Sequence, residues 1–287
     1  MTRSALSAPP TEAVTGGREA PIKLDRTWLG AAPSTWANPT VGLMALALTL
    51  MVGGPWAWLA LGLPREVATL ACMVACYVSF TVMHEAVHGV AHANKGVNGL
   101  LGRVAATLLY SPFRSFRAIH LEHHSHTNDP ERDPDFGVSR RPRFLLPLHC
   151  LGILVDYRRH FYGRPLWRSR GELTEVLVNE ALLLGVTAAA LSMPATREWF
   201  LWCWLVPALG AATVLAYAFD YLPHVPHDAR GRYRDTRAYP GAVLHALLLA
   251  QNYHLVHHLW TTIPWFRYRR AFEGVRPELE QRGCRID

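Results

Sequence analysis

The sequence predicts an all-α integral membrane protein with about four transmembrane helices in two hairpins and a cytoplasmic helical cap that carries clusters of histidines. Three observations predict this fold class. Half of the 287 residues are hydrophobic and only 18% are charged, which is typical of a membrane protein. Four apolar segments are long enough to cross a bilayer. Three histidine clusters lie where apolar segments end.

The N-terminal part of the chain predicts a tail followed by a first hairpin. Residues 1–37 are rich in Ala, Pro, Thr and Gly without periodicity, and predict a poorly ordered cytoplasmic tail. Residues 38–287 form the membrane domain. Residues 39–63 and 67–83 are spanning candidates, because about 20 residues at about 1.5 Å each cover a hydrocarbon core of about 30 Å. The polar turn 64–66 between them returns the chain to its starting face.

The second half of the chain predicts another hairpin. Residues 173–193 and 199–219 are spanning candidates around the turn 194–197. Between the two hairpins, residues 97–110 and 144–155 are apolar on only part of their surface. They predict helices that lie in the membrane interface or dip into it.

The distribution of positive charge predicts the orientation. The net charge is +7, but only two residues are lysines, and the arginines collect in loops beside apolar segments. This pattern favours membrane-flanking loops over a nucleic-acid partner. The segment 89–173 carries thirteen basic residues, whereas the two opposite turns carry only Arg65 and Arg197. The histidine clusters are therefore expected to face the cytosol, and the Arg-over-Lys bias favours the inner membrane of a bacterium.

The spacing of the histidines predicts a metal centre. Imidazole is the commonest side-chain metal ligand, and rings spaced i, i+4 or i, i+3, i+4 share one face of a helix. The third cluster follows residues 242–250, a short apolar run that predicts a surface helix. One further histidine ends the fourth spanning segment. The nine candidate ligands are His84, His88, His120, His123, His124, His224, His254, His257 and His258.

Other polar residues near the clusters are candidates for supporting roles. Asp220 lies one helical turn before His224 and could orient a ligand or a metal-bound water, as outer carboxylates do. Asn252 and Asp129 are assigned the same supporting role. Three histidines are candidates for weak ligands, although a structural or surface role is favoured for each: His92, His126 and His227.

Two other functions fit parts of the pattern. Residues 84–88 match H-E-x-x-H, the zinc-metalloprotease motif, with Glu85 as general base, but a protease would leave the other two clusters unexplained. A histidine-rich metal transporter is a non-catalytic alternative. Transporters place polar ligands near the bilayer midplane, whereas these clusters lie at segment ends on one face, which favours an enzyme.

The three clusters resemble the histidine boxes of the integral-membrane di-iron desaturase and hydroxylase superfamily. Within it, the chain most resembles the cyanobacterial-type β-carotene hydroxylases over about residues 83–277. The resemblance also rests on Asp-Pro at 129–130, Asp-Pro-Asp at 133–135, Leu-Pro-His at 222–224 and the stretch 251–265. The first box departs from the usual pattern, because Glu85 stands where Asp is usual.

The resemblance implies two non-haem iron ions, O2 as co-substrate and two electrons from a ferredoxin-type donor. It implies hydroxylation of a lipid or isoprenoid C–H bond, with the β-carotene ring as the leading substrate. A fatty-acyl desaturase is the alternative, followed by a carotenoid ketolase, because the boxes do not separate these outcomes. No catalytic residue is expected beyond the metal ligands. The arginines of 140–143 and 158–159 could dock the donor, or could only reflect the positive-inside bias.

Overall fold

The computed structural model describes residues 20–35 and 37–287. Within them the α-helices are α1 (Pro39–Leu61), α2 (Arg65–Val87), α3 (Lys95–Leu108), α4 (Phe113–His126), α5 (Leu146–Gly163), α6 (Arg170–Ser192), α7 (Pro194–Tyr221), α8 (Ala242–Leu247), α9 (His254–Leu259) and α10 (Tyr268–Gln281). Two short strands, β1 (Arg237–Ala238) and β2 (Arg285–Ile286), pair in parallel and are the only strands in the described part of the chain.

Four of these helices are long and apolar enough to cross a membrane, namely α1, α2, α6 and α7. They form two hairpins, α1–α2 and α6–α7, as the sequence predicts. The helices of the first hairpin approach closely at Gly54, where an added Cβ would lie 3.2 Å from the carbonyl oxygen of Ala68. Large apolar side chains such as Val52 and Leu184 are exposed on the outer faces and suit contact with lipid. The predicted fold class is confirmed.

The fourth spanning helix contains two wide turns. Residues Leu201–Leu205 and Ala216–Tyr221 of α7 adopt π-helical geometry. Wide turns of this kind occur frequently at functional sites. The second one ends directly before Leu222, so it sets the direction in which the chain leaves the membrane toward His224.

Helices α3 and α4 form a re-entrant hairpin whose turn lies between the spanning helices. The carbonyl of Leu108 accepts hydrogen bonds from Cys76 Sγ and Trp204 Nε1, each at 3.3 Å. Tyr110 Oη donates to the carbonyl of Leu183 at 2.9 Å. Because Cys76, Trp204 and Leu183 lie near the middle of α2, α7 and α6, the turn lies inside the membrane. The helix predicted at 97–110 therefore dips into the bilayer.

The predicted helical cap comprises α4, α5 and residues 222–287. Helix α10 packs one face into it, and its buried residues recur every three or four positions, as an amphipathic helix requires. Tyr268, Phe272 and Leu279 on this face are fully buried against the third histidine cluster. Helix α10 thereby packs against α9, which carries the third histidine cluster.

A short N-terminal segment, residues 20–35, lies across the cap. The backbone N–H of Ile22 donates to Tyr233 Oη at 3.3 Å, and that of Gly30 donates to the carbonyl of Thr262 at 3.0 Å. The segment thus connects the start of α1 to the loop after the third cluster.

The prediction of a poorly ordered tail over 1–37 falls partly outside the described residues, which exclude 1–19 and 36. The order of the tail therefore stays a prediction. Within residues 20–35, Trp28 packs directly against the Cα of Gly274 on α10, where a larger residue would overlap the indole ring. Contacts made by single side chains leave no periodic signal in a sequence.

Candidate metal centre

The nine predicted histidines come together where α2, α4, α7 and α9 end. Two groups of four have ring nitrogens within 4.8 Å of one another. The first group consists of His84, His88, His120 and His257, and the second of His123, His224, His254 and His258. His124 forms a further set with one member of each group, His257 and His258, and so lies between the two.

The rings face one another through their Nε2 atoms. His84 Nε2 lies 3.1 Å from His257 Nε2, and His120 Nε2 lies 2.9 Å from His88 Nε2. A ring nitrogen either carries a proton or offers a lone pair, so rings that converge in this way cannot all satisfy one another. Several lone pairs directed at one point are what a cation requires.

Hydrogen bonds at Nδ1 orient two of these rings. His123 Nδ1 donates to Asp133 Oδ1 at 2.8 Å. His257 Nδ1 donates to Tyr268 Oη at 2.9 Å, and that hydroxyl donates in turn to Glu85 at 3.4 Å. A proton held on Nδ1 leaves the lone pair on Nε2, the nitrogen that faces the centre.

His224 shows the same arrangement with a backbone acceptor. Its Nδ1 donates to the carbonyl of Asp235 at 3.0 Å, while its buried Nε2 has no hydrogen-bond partner among the described residues. A buried lone pair without a partner carries a free-energy cost. The donor set therefore fits metal ions that bind imidazole.

For most of the imidazoles that lie outside the spanning helices, the electrostatics favour the neutral form. Burial, followed by the neighbouring imidazoles, lowers the pKa well below its usual value for His88, His120, His124, His254, His257 and His258. His123 is different, because burial alone would lower its pKa but the carboxylates of Asp133 and Asp135 raise it to about 10. Neutral imidazole is the form that ligates metals, so a metal ion bound at His123 would displace a proton.

An apolar cavity lies next to the rings on the membrane side. Phe80 and Phe116 line it together with aliphatic side chains such as Met83 and Leu215, and both phenylalanines also line a small polar cavity among the imidazoles. Phe80 stacks on Phe219 with ring centroids 5.1 Å apart, and Phe116 stacks on His120 at 5.6 Å. A hydrocarbon chain in this cavity would lie against the metal-binding face with little water around it.

Comparison with known families agrees with this arrangement. The family model described as "Fatty acid desaturase" matches residues 56–287.

The chain belongs to the fatty acid desaturase family.

Three relatives of this desaturase-family protein have names that give different substrates. It is 27% identical to the zeaxanthin 4-ketolase of Chlamydomonas reinhardtii over 82% of this chain and 53% of that protein. It is 26% identical to the sn-1 oleoyl-lipid 12-desaturase of Anabaena variabilis over 69% of this chain and 64% of that protein. It is 28% identical to the β-carotene ketolase of a Paracoccus species over 66% of this chain and 71% of that protein.

The resemblance to the membrane desaturase and hydroxylase superfamily is thus confirmed. The chain spans about half of the first of these relatives and about two thirds of the second. The three relatives are named as ketolases and a desaturase, so closeness to β-carotene hydroxylases in particular stays a prediction.

The three predicted supporting residues of the desaturase-family protein lie in different places. Asp220 lines the cavity beside the rings but makes no hydrogen bond among the described residues. Asn252 is buried and donates to the carbonyl of Tyr239 at 2.8 Å, which fixes the loop before α9. Asp129 faces outward, where it accepts from two backbone N–H groups and pairs with Arg230 at 3.1 Å. No hydrogen bond joins Asp129 to a ring in the described part of the chain.

The three candidate weak ligands lie outside the groups of converging rings. His92 accepts from the backbone N–H of Asn94 at 2.9 Å, and His126 donates to the carbonyl of Glu122 at 3.1 Å. The ring centroid of His227 lies 6.2 Å from that of His224, and its buried Nε2 has no partner among the described residues. These contacts give His92 and His126 structural roles and place His227 nearest to the centre.

Sequence analysis did not identify the residues that hold the rings. Glu85 is fully buried and accepts from the backbone N–H of Trp265 at 3.0 Å and from Tyr268 Oη. It ties α2 to the segment after the third cluster, which is inconsistent with the general base of a protease. Asp133 and Asp135 entered the sequence analysis only as part of a family motif. A carboxylate near the end of an apolar run was the available signal at Glu85.

Proposed function

We propose that this desaturase-family protein is a membrane di-iron oxygenase that hydroxylates a lipid or isoprenoid C–H bond, with the β-carotene ring as the leading substrate. The observation that carries the proposal is the convergence of nine imidazoles beside an apolar cavity. Iron bound there would supply the O2 activation that an unactivated C–H bond requires, using two external electrons. Metal analysis should find about two irons per chain, whereas zinc or copper alone would contradict the proposal.

In this proposal the chain's own residues hold the irons, orient the ligand rings and exclude water from the substrate. The two groups of four rings would each hold one iron, with His124 between them. Asp133 and Tyr268 keep the lone pairs of their partner rings directed inward. Phe80 and Phe116 hold the hydrocarbon against the centre and exclude water. The position of the substrate in the cavity decides which carbon reacts.

Ketolation is a second candidate, because two of the relatives are named ketolases. Hydroxylation converts a CH2 group, O2, two electrons and two protons into an alcohol and water. A second round at the same carbon gives a geminal diol, which loses water to form a ketone. Desaturation uses the same O2, electrons and protons but removes two hydrogens and forms two waters. All three reactions fit one site.

We further propose that a ferredoxin-type donor approaches from the cytosol, on the side away from the apolar cavity. An open polar cleft of about 620 Å³ reaches His124 and His258 there, and Arg230 and Arg232 line it. Among the arginines predicted for docking, Arg140 and Arg159 pair with Asp156, and Arg158 pairs with Glu180. Arg230 is also paired, with Asp129, so its place in the cleft beside His124 and His258 is what favours it. Reversing the charge at Arg230 should slow turnover and weaken its salt dependence; unchanged turnover would contradict this docking site.

The reaction is tested by expressing the chain in bacteria that accumulate β-carotene, together with a ferredoxin and its reductase. Pigments are then separated by chromatography and identified by mass spectrometry, with a His258→Ala variant as the control. Hydroxylated carotenoids absent from the control would support the proposal, and keto products would favour the second candidate. Unchanged pigment with iron still bound would contradict both and favour a fatty-acyl desaturase.

A further inference from the structure

Arginines gather in the crevice between α3, α4 and α6, near the end of the bundle that carries the imidazoles. Arg103 of α3 donates to Glu175 of α6 from Nε at 2.8 Å and from Nη2 at 3.0 Å. Arg114 of α4 pairs with the same carboxylate at 3.2 Å and with Glu172 at 3.6 Å. These two arginines therefore engage both glutamates of the crevice.

Two further arginines bring positive charge without a carboxylate of their own. Arg117 lies one turn after Arg114 on α4 and is half-buried, yet its guanidinium has no hydrogen bond or ion pair among the described residues. Burial, followed by the charges of Arg168 and Arg114, lowers the pKa of Arg117. The backbone N–H of Arg168 donates to Glu172 at 2.8 Å, while its exposed guanidinium has no partner in the described part of the chain. In this group four guanidiniums share two carboxylates, which leaves an excess of positive charge.

Helix α6 shows that the group lies near the level of the lipid headgroups. Glu172 and Glu175 follow its first residue, Arg170, by two and five positions, or about 3 and 8 Å. A helix of 23 residues is about 35 Å long and exceeds a hydrocarbon core of about 30 Å, so both glutamates lie close to the membrane surface. Val178 and Leu182 come three and seven positions after Glu175 on the same face, and they are 51% and 62% exposed. Charge at the surface is thus followed by apolar side chains that face lipid.

An anionic phospholipid has the same sequence of charged and apolar groups. Guanidiniums bind phosphate oxygens through strong charge-assisted hydrogen bonds, and basic pockets between membrane helices bind anionic headgroups. We propose that this crevice binds an anionic phospholipid, with its phosphate at Arg117 and Arg168 and an acyl chain along Val178 and Leu182. The excess of positive charge favours a headgroup with net negative charge over a zwitterionic one.

This lipid is a ligand distinct from the substrate. The apolar cavity next to the rings is lined by Ile153 of α5 and Leu215 of α7, whereas the crevice lies where α4 faces α3 and α6. Arg117 precedes His120 by three residues. A bound phosphate would therefore hold the helix that carries the second histidine cluster, so the expected role of the lipid is to stabilise the fold. This role is the same whichever C–H bond is oxidised.

The test measures lipid binding to the purified, metal-free full chain in a neutral detergent. The probes are phosphatidylglycerol and phosphatidylcholine with identical acyl chains, and inorganic phosphate. Native mass spectrometry counts bound lipid, and thermal unfolding measures stabilisation. The variants are Arg168→Gln, whose side chain is exposed, and the double variant Arg117→Gln, Arg168→Gln. The matched control, Arg141→Gln with Arg143→Gln, removes two exposed arginines elsewhere at the same end of the bundle.

The native chain is expected to bind phosphatidylglycerol at least about tenfold more tightly than phosphatidylcholine, because each basic residue near the membrane surface attracts anionic lipid. Saturating phosphatidylglycerol should raise the midpoint of thermal unfolding by roughly 5 °C. Arg168→Gln should reduce the preference for the anionic lipid. The double variant should lose both the preference and the stabilisation, and the control should keep both.

Equal binding of the two lipids by the native chain, or an unchanged preference in the double variant, would overturn the proposal. An equal loss in the control would also overturn it, because it would show only a general attraction to positive charge. Equal stabilisation by inorganic phosphate would overturn the assignment to a lipid. Oxidised acyl chains in phosphatidylglycerol recovered after turnover would make it a substrate and overturn its role as a ligand. Equal lipid binding together with loss of ferredoxin binding in the double variant would assign the arginines to the electron donor instead.

Discussion

Replacing Asp133 with Asn tests how the second group of rings is held. The buried carboxylate accepts from His123 Nδ1 at 2.8 Å and from the backbone N–H groups of Asp135 at 2.9 Å and Asn128 at 2.7 Å. It therefore fixes a ring and a loop at once. An amide has only one oxygen, so its NH2 group would face at least one of these donors.

The expected magnitude follows from those contacts. Losing one hydrogen bond to a charged acceptor, with its donor left buried, should lower the free energy of unfolding by about 1.5–3 kcal/mol. Loss of the acceptor that orients His123 should weaken iron binding by roughly 10- to 100-fold. Thermal unfolding of the metal-free protein measures the first effect. Competition with a chelator measures the second.

Asp156→Asn is the matched control. Asp156 is also buried and charge-paired, with Arg140 at 2.7 Å, but contacts none of the nine rings. It should lower stability by a similar amount and leave iron affinity unchanged. If Asp133→Asn bound iron as tightly as the native chain, the assignment of Asp133 as the group that orients the ring would be wrong.

Three further variants test other parts of the structure. His258→Ala should abolish lipid oxidation and lower bound iron, whereas His149→Ala should do neither; product and metal analysis would disprove the ligand assignment if the first variant stayed active. Tyr268→Phe removes the hydroxyl that lies between His257 and the buried carboxylate of Glu85, and should weaken iron binding by about tenfold in chelator exchange. An unchanged exchange rate would show that the hydroxyl is dispensable. Gly274→Ala places a methyl group where Trp28 packs, and should speed proteolysis of the N-terminal segment with iron content unchanged; native resistance would argue against this contact.

The four spans and the convergence of nine rings were predictable because both depend on local properties. The length of an apolar run decides whether it can cross a bilayer, and ring spacing decides whether imidazoles share a face. Since all the clusters lie at the same end of their segments, folding of the two hairpins brings them together. Even His224, a single residue without a cluster, was identified from its place at the end of a span.

The orienting carboxylates could not be chosen from the sequence. Asp129 and Asp133 both precede a proline and both follow the second cluster, and Asp129 was assigned the supporting role. The chain turns at Asn128, whose φ is 62°, and the side chain of Asn128 is held by the carbonyls of Ala229 and Asp235. This turn directs Asp129 outward and Asp133 inward, and its partners lie about 100 residues further along the chain.

The re-entrant turn also constrains the order in which the protein assembles. The carbonyl of Leu108 accepts from Cys76 Sγ and from Trp204 Nε1, a donor that the ribosome adds 96 residues later. Without Trp204, this carbonyl would keep only the weak thiol donor in hydrocarbon, where unsatisfied backbone groups are costly. Helices α3 and α4 should therefore stay at the membrane surface during synthesis and enter only after α7 is inserted. Because α4 carries the second histidine cluster, the metal centre can form only after all four spans are in place.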